Sequence, residues 1–503
     1  MIRRAVPALA VALGALLAPF VVVPTATAAI LPCDGGRPYR DLDGDGFEDA
    51  VVGDPYATVE GKAEAGTVTV LFGDDDGRIG EGSARRVLTQ RDFDQTPEVG
   101  DHFGWAVALS RFDDGCYRVL IGVPGEDVDG HPDAGMAHLI TLNGGPSDNP
   151  TALDRKDTVL QSDVGGTVEA GDEFGHSVAA HPDNAEFDPE VAFGAPGENE
   201  NAGVVNVAGV LFSGVQERQG ARGVPGRFQA GDRFGEVVGY FDYLPGDVDD
   251  PPDLFVGAPG DVVDGRAEAG SVNVLRGSAS RLITQNTAGV PGTAEAGDHF
   301  GASLADNQLP PVRTFKQVAI GAPGEDVGSA RDAGSVTVLR RTDDTTYPAV
   351  SLTQSTAGVA GSAESGDQFG SALAYRDDRT LAVGIPGEDL GAVADAGSVQ
   401  IVRVGKANLS FPSPSITEDS PGTPGTVRAG SRFGSSVAGL PATDQARTTT
   451  PGGFGEAVFA ITSGQDGGSV YVISDESAVS PRAWKPGTGG IPGVGVRFGR
   501  SVA

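Results

Sequence analysis

The chain has 503 residues, 39% of them hydrophobic and 21% charged, which suits a packed core rather than a disordered chain. Lys and Arg number 36 against 69 Asp and Glu, giving a net charge of −33. Such a surface repels nucleic acid and anionic membrane and favours cations or basic partners.

The N-terminus reads as an export signal: Arg3-Arg4, an apolar stretch at residues 5–23, then the small-residue site Ala26-Thr27-Ala28. Residues 1–28 are therefore expected to be removed, leaving residues 29–503 as a single secreted, extracellular, monomeric domain. No other stretch approaches the ~20 apolar residues that span a bilayer. Cys33 and Cys116 are the two cysteines. In an oxidising compartment an isolated pair is expected to be bridged, here as a staple near the N-terminal seam.

From residue 100 onward one pattern governs the chain. Phe-Gly recurs at Phe103, Phe174, Phe234, Phe300, Phe369, Phe433 and Phe498, at intervals of 71, 60, 66, 69, 64 and 65 residues. Five of the seven read Gly-Asp-x-Phe-Gly, as in Gly100-Asp101-His102-Phe103-Gly104. A fixed period of this size marks one structural unit copied along the chain. The unit beginning at Gly297 predicts four strands. Phe300 to Ala305 is short and small, and Val318-Ala319-Ile320-Gly321 is a continuous apolar run. Ser335 to Leu339 is rich in β-branched residues, and Ser351-Leu352-Thr353-Gln354 lies outermost. Four short strands per ~65 residues without a helical stretch make a propeller blade.

The turn after the second strand recurs as well, at Gly122-Val123-Pro124-Gly125, Gly194-Ala195-Pro196-Gly197, Gly257-Ala258-Pro259-Gly260 and Gly384-Ile385-Pro386-Gly387. The first unit begins at its second strand, and the chain finishes on a Phe-Gly strand with nothing after it. The expected fold is all-β: a seven-bladed β-propeller of four-stranded antiparallel blades, with the C-terminal strand closing blade one and removing two exposed edges.

Phe-Gly followed by Gly-Ala-Pro, repeated seven times, resembles the FG-GAP repeat propeller of integrin α subunits and their secreted bacterial relatives. The resemblance spans essentially all of residues 29–503. It implies extracellular binding or adhesion, although its relatives also include appendages of phospholipases. Integrin-type blades often carry a calcium hairpin between the first and second strands, and the first unit has one whole: Asp41-Leu42-Asp43-Gly44-Asp45-Gly46-Phe47-Glu48-Asp49. Carboxylates of Asp41, Asp43, Asp45 and Asp49 with the Phe47 carbonyl offer a hard cation oxygen ligands in a tight loop, so Ca2+ is the expected cofactor. An EF-hand would need Glu where Val52 stands.

Acidic residues also recur after Gly-x-Pro-Gly: Glu126, Asp127 and Asp129; Glu325 and Asp326; Glu388 and Asp389. Strand alternation puts these loops on the face opposite the hairpin, where the resemblance places ligand binding. The same carboxylates could instead cap turn amides, and both readings stand. Catalysis finds less support. Gly175-His176-Ser177 looks like a nucleophile elbow, but Gly301-Ala302-Ser303 and Gly434-Ser435-Ser436 occupy equivalent inner strands. The reading is a calcium-stabilised module for an extracellular protein or glycan. The alternatives are a secreted hydrolase or lyase with its site at the central mouth, where Arg500 and Trp105 break the repeat, and a structural surface component.

Overall fold

The computed structural model describes residues 40–44, 47, 49–73, 85–111, 116–142, 155–181, 190–209, 214–244, 252–307, 315–342, 346–376, 379–406, 408–411, 415–421, 423, 425–440, 457–462, 468–474, 482–485 and 499–502. The export signal, Cys33, Asp45 and Phe498 lie outside the described residues.

Seven antiparallel sheets of four strands each follow one another along the chain. Blade five is the regular example: Ser303–Asp306, Phe315–Ala322, Ser335–Thr342 and Thr346–Leu352, paired in that order. The predicted second strand is found and is longer, buried along its whole length. Two boundaries differ from expectation. The inner strand starts at Ser303 because Gly301, at φ +95°, still belongs to the turn. The outer strand ends at Leu352, and Gln354 lies beyond it with its side chain bonded to Glu388 of the next blade.

Blade one confirms the closure. Its first three chain-order strands are Ala50–Asp54, Thr67–Leu71 and Arg85–Leu88, and its innermost strand is Ser501–Val502. Val502 pairs with Val52 and Ser501 with Gly53, while the Gly499 amide donates to the Gly53 carbonyl at 2.8 Å. The inner strands then touch their neighbours around an unbroken circuit.

Two contacts explain the recurring motifs. Each Phe from Phe103 to Phe433 is fully buried, and its amide donates to an Ala carbonyl before the third strand of the preceding blade, as in Phe103 to Ala65 and Phe300 to Ala269 at 3.0 Å. The second-strand Gly packs backbone to backbone on the Phe-Gly glycine of the next blade: a Cβ on Gly122 would sit 1.9 Å from the Gly175 carbonyl oxygen. Phe-Gly and Gly-x-Pro are therefore two halves of one blade-to-blade joint. Apolar clusters between successive sheets supply most of the burial, at about 25 cal/mol per Å2 of apolar surface removed from water.

The inner-strand serines belong to the same joint. Ser177 Oγ donates to Gly235 O at 2.7 Å, Ser303 Oγ to Gly370 O at 2.6 Å and Ser501 Oγ to Gly104 O at 2.9 Å. A hydroxyl spent on a neighbouring carbonyl is scaffold, as the repeat implied for the Gly-His-Ser sequence. Cys116 is buried and disulfide-bonded.

Candidate functional site

The hairpin before Ala50–Asp54 brings Asp41, Asp43 and Asp49 together: one oxygen from each lies within 4.8 Å of the others, and all three residues are buried. Backbone amides shape the loop. Gly44 N donates to Asp41 Oδ1 at 2.6 Å, Leu42 N to Asp49 Oδ2 at 2.7 Å and Gly73 N to Asp49 Oδ1 at 2.8 Å. Burial pushes the Asp49 carboxyl well above its usual range, and the charges of Asp43 and Asp41 push it the same way against the two amide bonds. Phe47 is half-buried in the same loop.

Blade four contains an informative counterpart. Ala50 pairs with Leu71 as Leu254 pairs with Leu275, so Asp253 stands where Asp49 does. Its carboxylate likewise accepts two amides, from Tyr243 at 2.9 Å and Leu244 at 2.6 Å. There Arg276 Nε sits 3.2 Å away and supplies the positive charge. Blade one has Phe72 at the Arg276 position. Three clustered carboxylates where the sister blade uses a guanidinium are a donor set suited to a hard divalent cation.

The acidic loops occupy the opposite ends of the second strands. Asp127, Asp326 and Asp389 each accept the backbone amide six residues on, at 3.0, 3.0 and 2.8 Å. Asp133, Asp332 and Asp395 are the residues whose amides are capped, and they adopt φ near +50°. Asp129 is exposed. Glu126, Glu325 and Glu388 turn inward and meet glutamines from the preceding blade. Gln90 Nε2 donates to Glu126 at 2.5 Å, and Gln285 and Gln354 make the same bond to Glu325 and Glu388. Burial, reinforced by the neighbouring Asp of Gly-Asp-x-Phe-Gly, raises Glu126 to about 8 and Glu325 and Glu388 to about 7.

Around the central mouth on this same face stand the residues that follow Phe-Gly: Arg500, Trp105, His176, Glu236, Ala302, Ser371 and Ser435. Four consecutive blades carry large charged or aromatic side chains and three carry small ones. The large ones form a continuous chain. The Arg500 guanidinium lies 4.7 Å over the Trp105 ring, and Trp105 and His176 have ring centroids 5.2 Å apart. His176 faces Glu173 at 3.2 Å through Nδ1 and Glu236 at 3.9 Å through Nε2, and Arg233 pairs with Glu236. Tyr56 and His102 pack beside Trp105, with ring centroids at 6.1 and 5.5 Å. The hydrogen bond from His176 lowers the Glu173 carboxyl. A separate groove of about 670 Å3 lies farther out, lined in part by Arg227, Asp264, Asn286 and Thr287.

Sequence reasoning singled out Arg500 and Trp105 but not the line they form with His176 and Glu236. The signal was available in the one position after Phe-Gly where the repeat changes chemistry. The Gln series was also missed, although Gln90, Gln161, Gln219, Gln285 and Gln354 recur with the period.

Seven closed four-stranded sheets make this chain a seven-bladed β-propeller. Residues 39–71 match the family model described as FG-GAP repeat, the segment that holds the hairpin and the first strands of blade one. A stretch of 234 residues is 24% identical to the phosphatidylinositol-glycan-specific phospholipase D of Dictyostelium discoideum, covering 44% of this chain and 24% of that protein. The chain thus spans about a quarter of the length of that relative. Among solved structures, a fucose-specific lectin from Aleuria aurantia is 11% identical at a TM-score of 0.34, over 72% of this chain and 94% of the lectin. A variant of that lectin solved with Fucalpha1-6GlcNAc is 11% identical at a TM-score of 0.33, over 74% and 97%. The fold rests on the seven sheets themselves.

Proposed function

We propose that this chain is a secreted binding module that captures an extracellular protein or glycan at its central mouth, with Ca2+ stiffening the hairpin of blade one. The observation that carries this reading is the unbroken line Arg500–Trp105–His176–Glu236, the place where the repeat abandons its own pattern on consecutive blades. Scaffold positions recur, whereas these side chains vary in chemistry while remaining in contact. An indole, a guanidinium, an imidazole and two carboxylates supply stacking surface, donors and acceptors to one ligand. Export follows from the sequence of residues 1–28, and calcium from the donor set of Asp41, Asp43 and Asp49.

Capture of polysaccharide and protein fractions by the mature protein, with and without calcium, tests the reading. Calcium-dependent retention of one fraction is expected, and no retention from any fraction in either condition overturns it.

A second reading has a specific observation in its favour. His176 lies between Glu173 and Glu236, a general acid–base arrangement of the kind a hydrolase or lyase places at a propeller mouth. Turnover of a retained polysaccharide, abolished in His176→Ala, would select it over simple binding. The likeness to a phospholipase brings no activity to this chain.

A further inference from the structure

The line at the mouth broadens at Trp105 into a triangle of rings. Centroids lie 5.1 Å apart for Tyr56 and His102, 6.1 Å for Tyr56 and Trp105 and 5.5 Å for His102 and Trp105, with interplanar angles of 62°, 53° and 57°. All three residues are half-buried, and neither Tyr56 nor Trp105 is part of the apolar cluster that fills the joint between blades one and two. The rings therefore offer solvent an apolar surface beside the polar groups of the mouth.

Tyr56 is itself a departure from the repeat. Blades two to six have glycine in its place, at Gly125, Gly197, Gly260, Gly324 and Gly387. A Cβ on any of the five would sit 1.8–1.9 Å from the carbonyl oxygen of the glycine that opens the same blade's Gly-Asp-x-Phe-Gly turn. Five blades thus fold this turn with no room for a side chain, whereas blade one puts a large ring there. Folding does not ask for that ring.

The neighbouring polar groups are acceptors. His102 Nδ1 lies 3.3 Å from the Pro55 carbonyl, so the neutral ring donates there and leaves Nε2 to accept. Glu64 Oε2 stands 4.0 Å from that Nε2. Two acceptors side by side at the rim of an aromatic surface suit the hydroxyls of a polyol. Charge around the rings is matched, although the chain carries a net −33. Among the described residues, Arg233 pairs with Glu236, and His176 faces Glu173 and Glu236. Arg500 already holds the place over Trp105 where a ligand's cation would stack.

We propose that the mouth takes an uncharged glycan, with one sugar ring stacked on the Tyr56–His102–Trp105 surface and Tyr56 setting the specificity; this rests on the reading of the mouth as a binding site. The C–H face of a pyranose carries partial positive charge and packs on the negative face of an aromatic ring, while its hydroxyls reach the donors and acceptors alongside. A basic peptide or a polyanion would instead call for an unmatched charge at the mouth.

The test is a fluorescence titration of the mature chain, whose two tryptophans are Trp105 and the buried Trp484. The probes are neutral hexose, pentose and N-acetylhexosamine oligomers, uronic-acid oligomers and an oligolysine peptide. A neutral oligomer should change the emission saturably, and the change should vanish in Trp105→Phe. Tyr56→Gly, which installs the residue of the five sister turns, should keep the wild-type melting temperature. It should bind that oligomer about tenfold more weakly, while Tyr56→Phe stays within about twofold of wild type. Binding of uronic-acid oligomers or oligolysine alone, or wild-type affinity in Tyr56→Gly, overturns the inference. Retention of a protein fraction with every oligosaccharide unbound also overturns it but leaves the binding-module reading in place; retention of nothing overturns both.

Discussion

The Arg500 guanidinium rests 4.7 Å above the ring of Trp105, although the two residues lie at opposite ends of the propeller's sequence. Arg500 precedes the strand Ser501–Val502 that completes blade one, and Trp105 precedes the inner strand of blade two. Ring closure and site assembly are therefore one event. Without the C-terminal strand, blade one exposes an edge and the mouth loses its guanidinium.

Deleting residues 498–503 should thus lower the melting temperature sharply and abolish ligand capture together. The removed segment supplies the Val502 and Ser501 pairs, the Gly499 amide bond to Gly53 and the Ser501 hydroxyl bond to Gly104. Differential scanning calorimetry checks this, and an unchanged transition would contradict the closure.

Core substitution separates the joint from the site. Phe300 is fully buried in the cluster with Phe255, Val272 and Ile320. Phe300→Ala should cost about 3–5 kcal/mol in urea unfolding, the range for removing a large buried ring. A loss below about 1 kcal/mol would mean that the joint tolerates collapse around the vacancy.

Stability should fall on the alkaline side. Glu126 is raised from 4.5 to about 8 by burial and by Asp101, and is also faced by Gln90, Glu98 and Asp127. A carboxyl with a raised folded pKa contributes stability below its unfolded value and loses it as pH rises through the folded one. The loss should therefore develop between about pH 4.5 and 8. Glu325 and Glu388 add the same trend up to about 7. Buried His138, lowered to about 3, acts oppositely: its contribution is full above 6.5 and is lost as pH falls toward 3. Melting temperatures from pH 5 to 9 should decline for wild type and decline less for Glu126→Gln. Parallel curves for the two proteins would contradict the assignment.

The hairpin should respond to metal. Chelation should lower the wild-type melting temperature by several degrees and leave Asp43→Ala little changed, because binding to the folded state alone stabilises it by mass action. Equal shifts in both proteins would remove Asp43 from the site.

The architecture was legible because its motifs are forced by contacts that repeat. Gly122 and Gly175 must both be glycine for two backbones to meet, and the second-strand glycine recurs in six of the seven blades, with Ile461 at that register position in blade seven. The cluster of Asp41, Asp43 and Asp49 was legible because its carboxylates come from one short loop. What escaped was chemistry made across blades. Gln354 reads as the end of an outer strand until the fold carries it to Glu388, 34 positions away. For Asp127 and its counterparts the sequence leaves ligand binding and amide capping both open, and the structure shows them capping amides within their own turns. The line from Arg500 to Glu236 needs the order of blades around the ring, which composition does not hold.

One measurement bears most directly on the mouth as a binding site: the dissociation constant for the fraction retained by wild type, compared with Trp105→Ala, Arg500→Gln and the distant surface variant Asp264→Asn. The account predicts at least a tenfold weakening for Trp105→Ala and Arg500→Gln, about 1.4 kcal/mol, with unchanged melting temperatures and no effect of Asp264→Asn. Wild-type affinity in both mouth variants would contradict it.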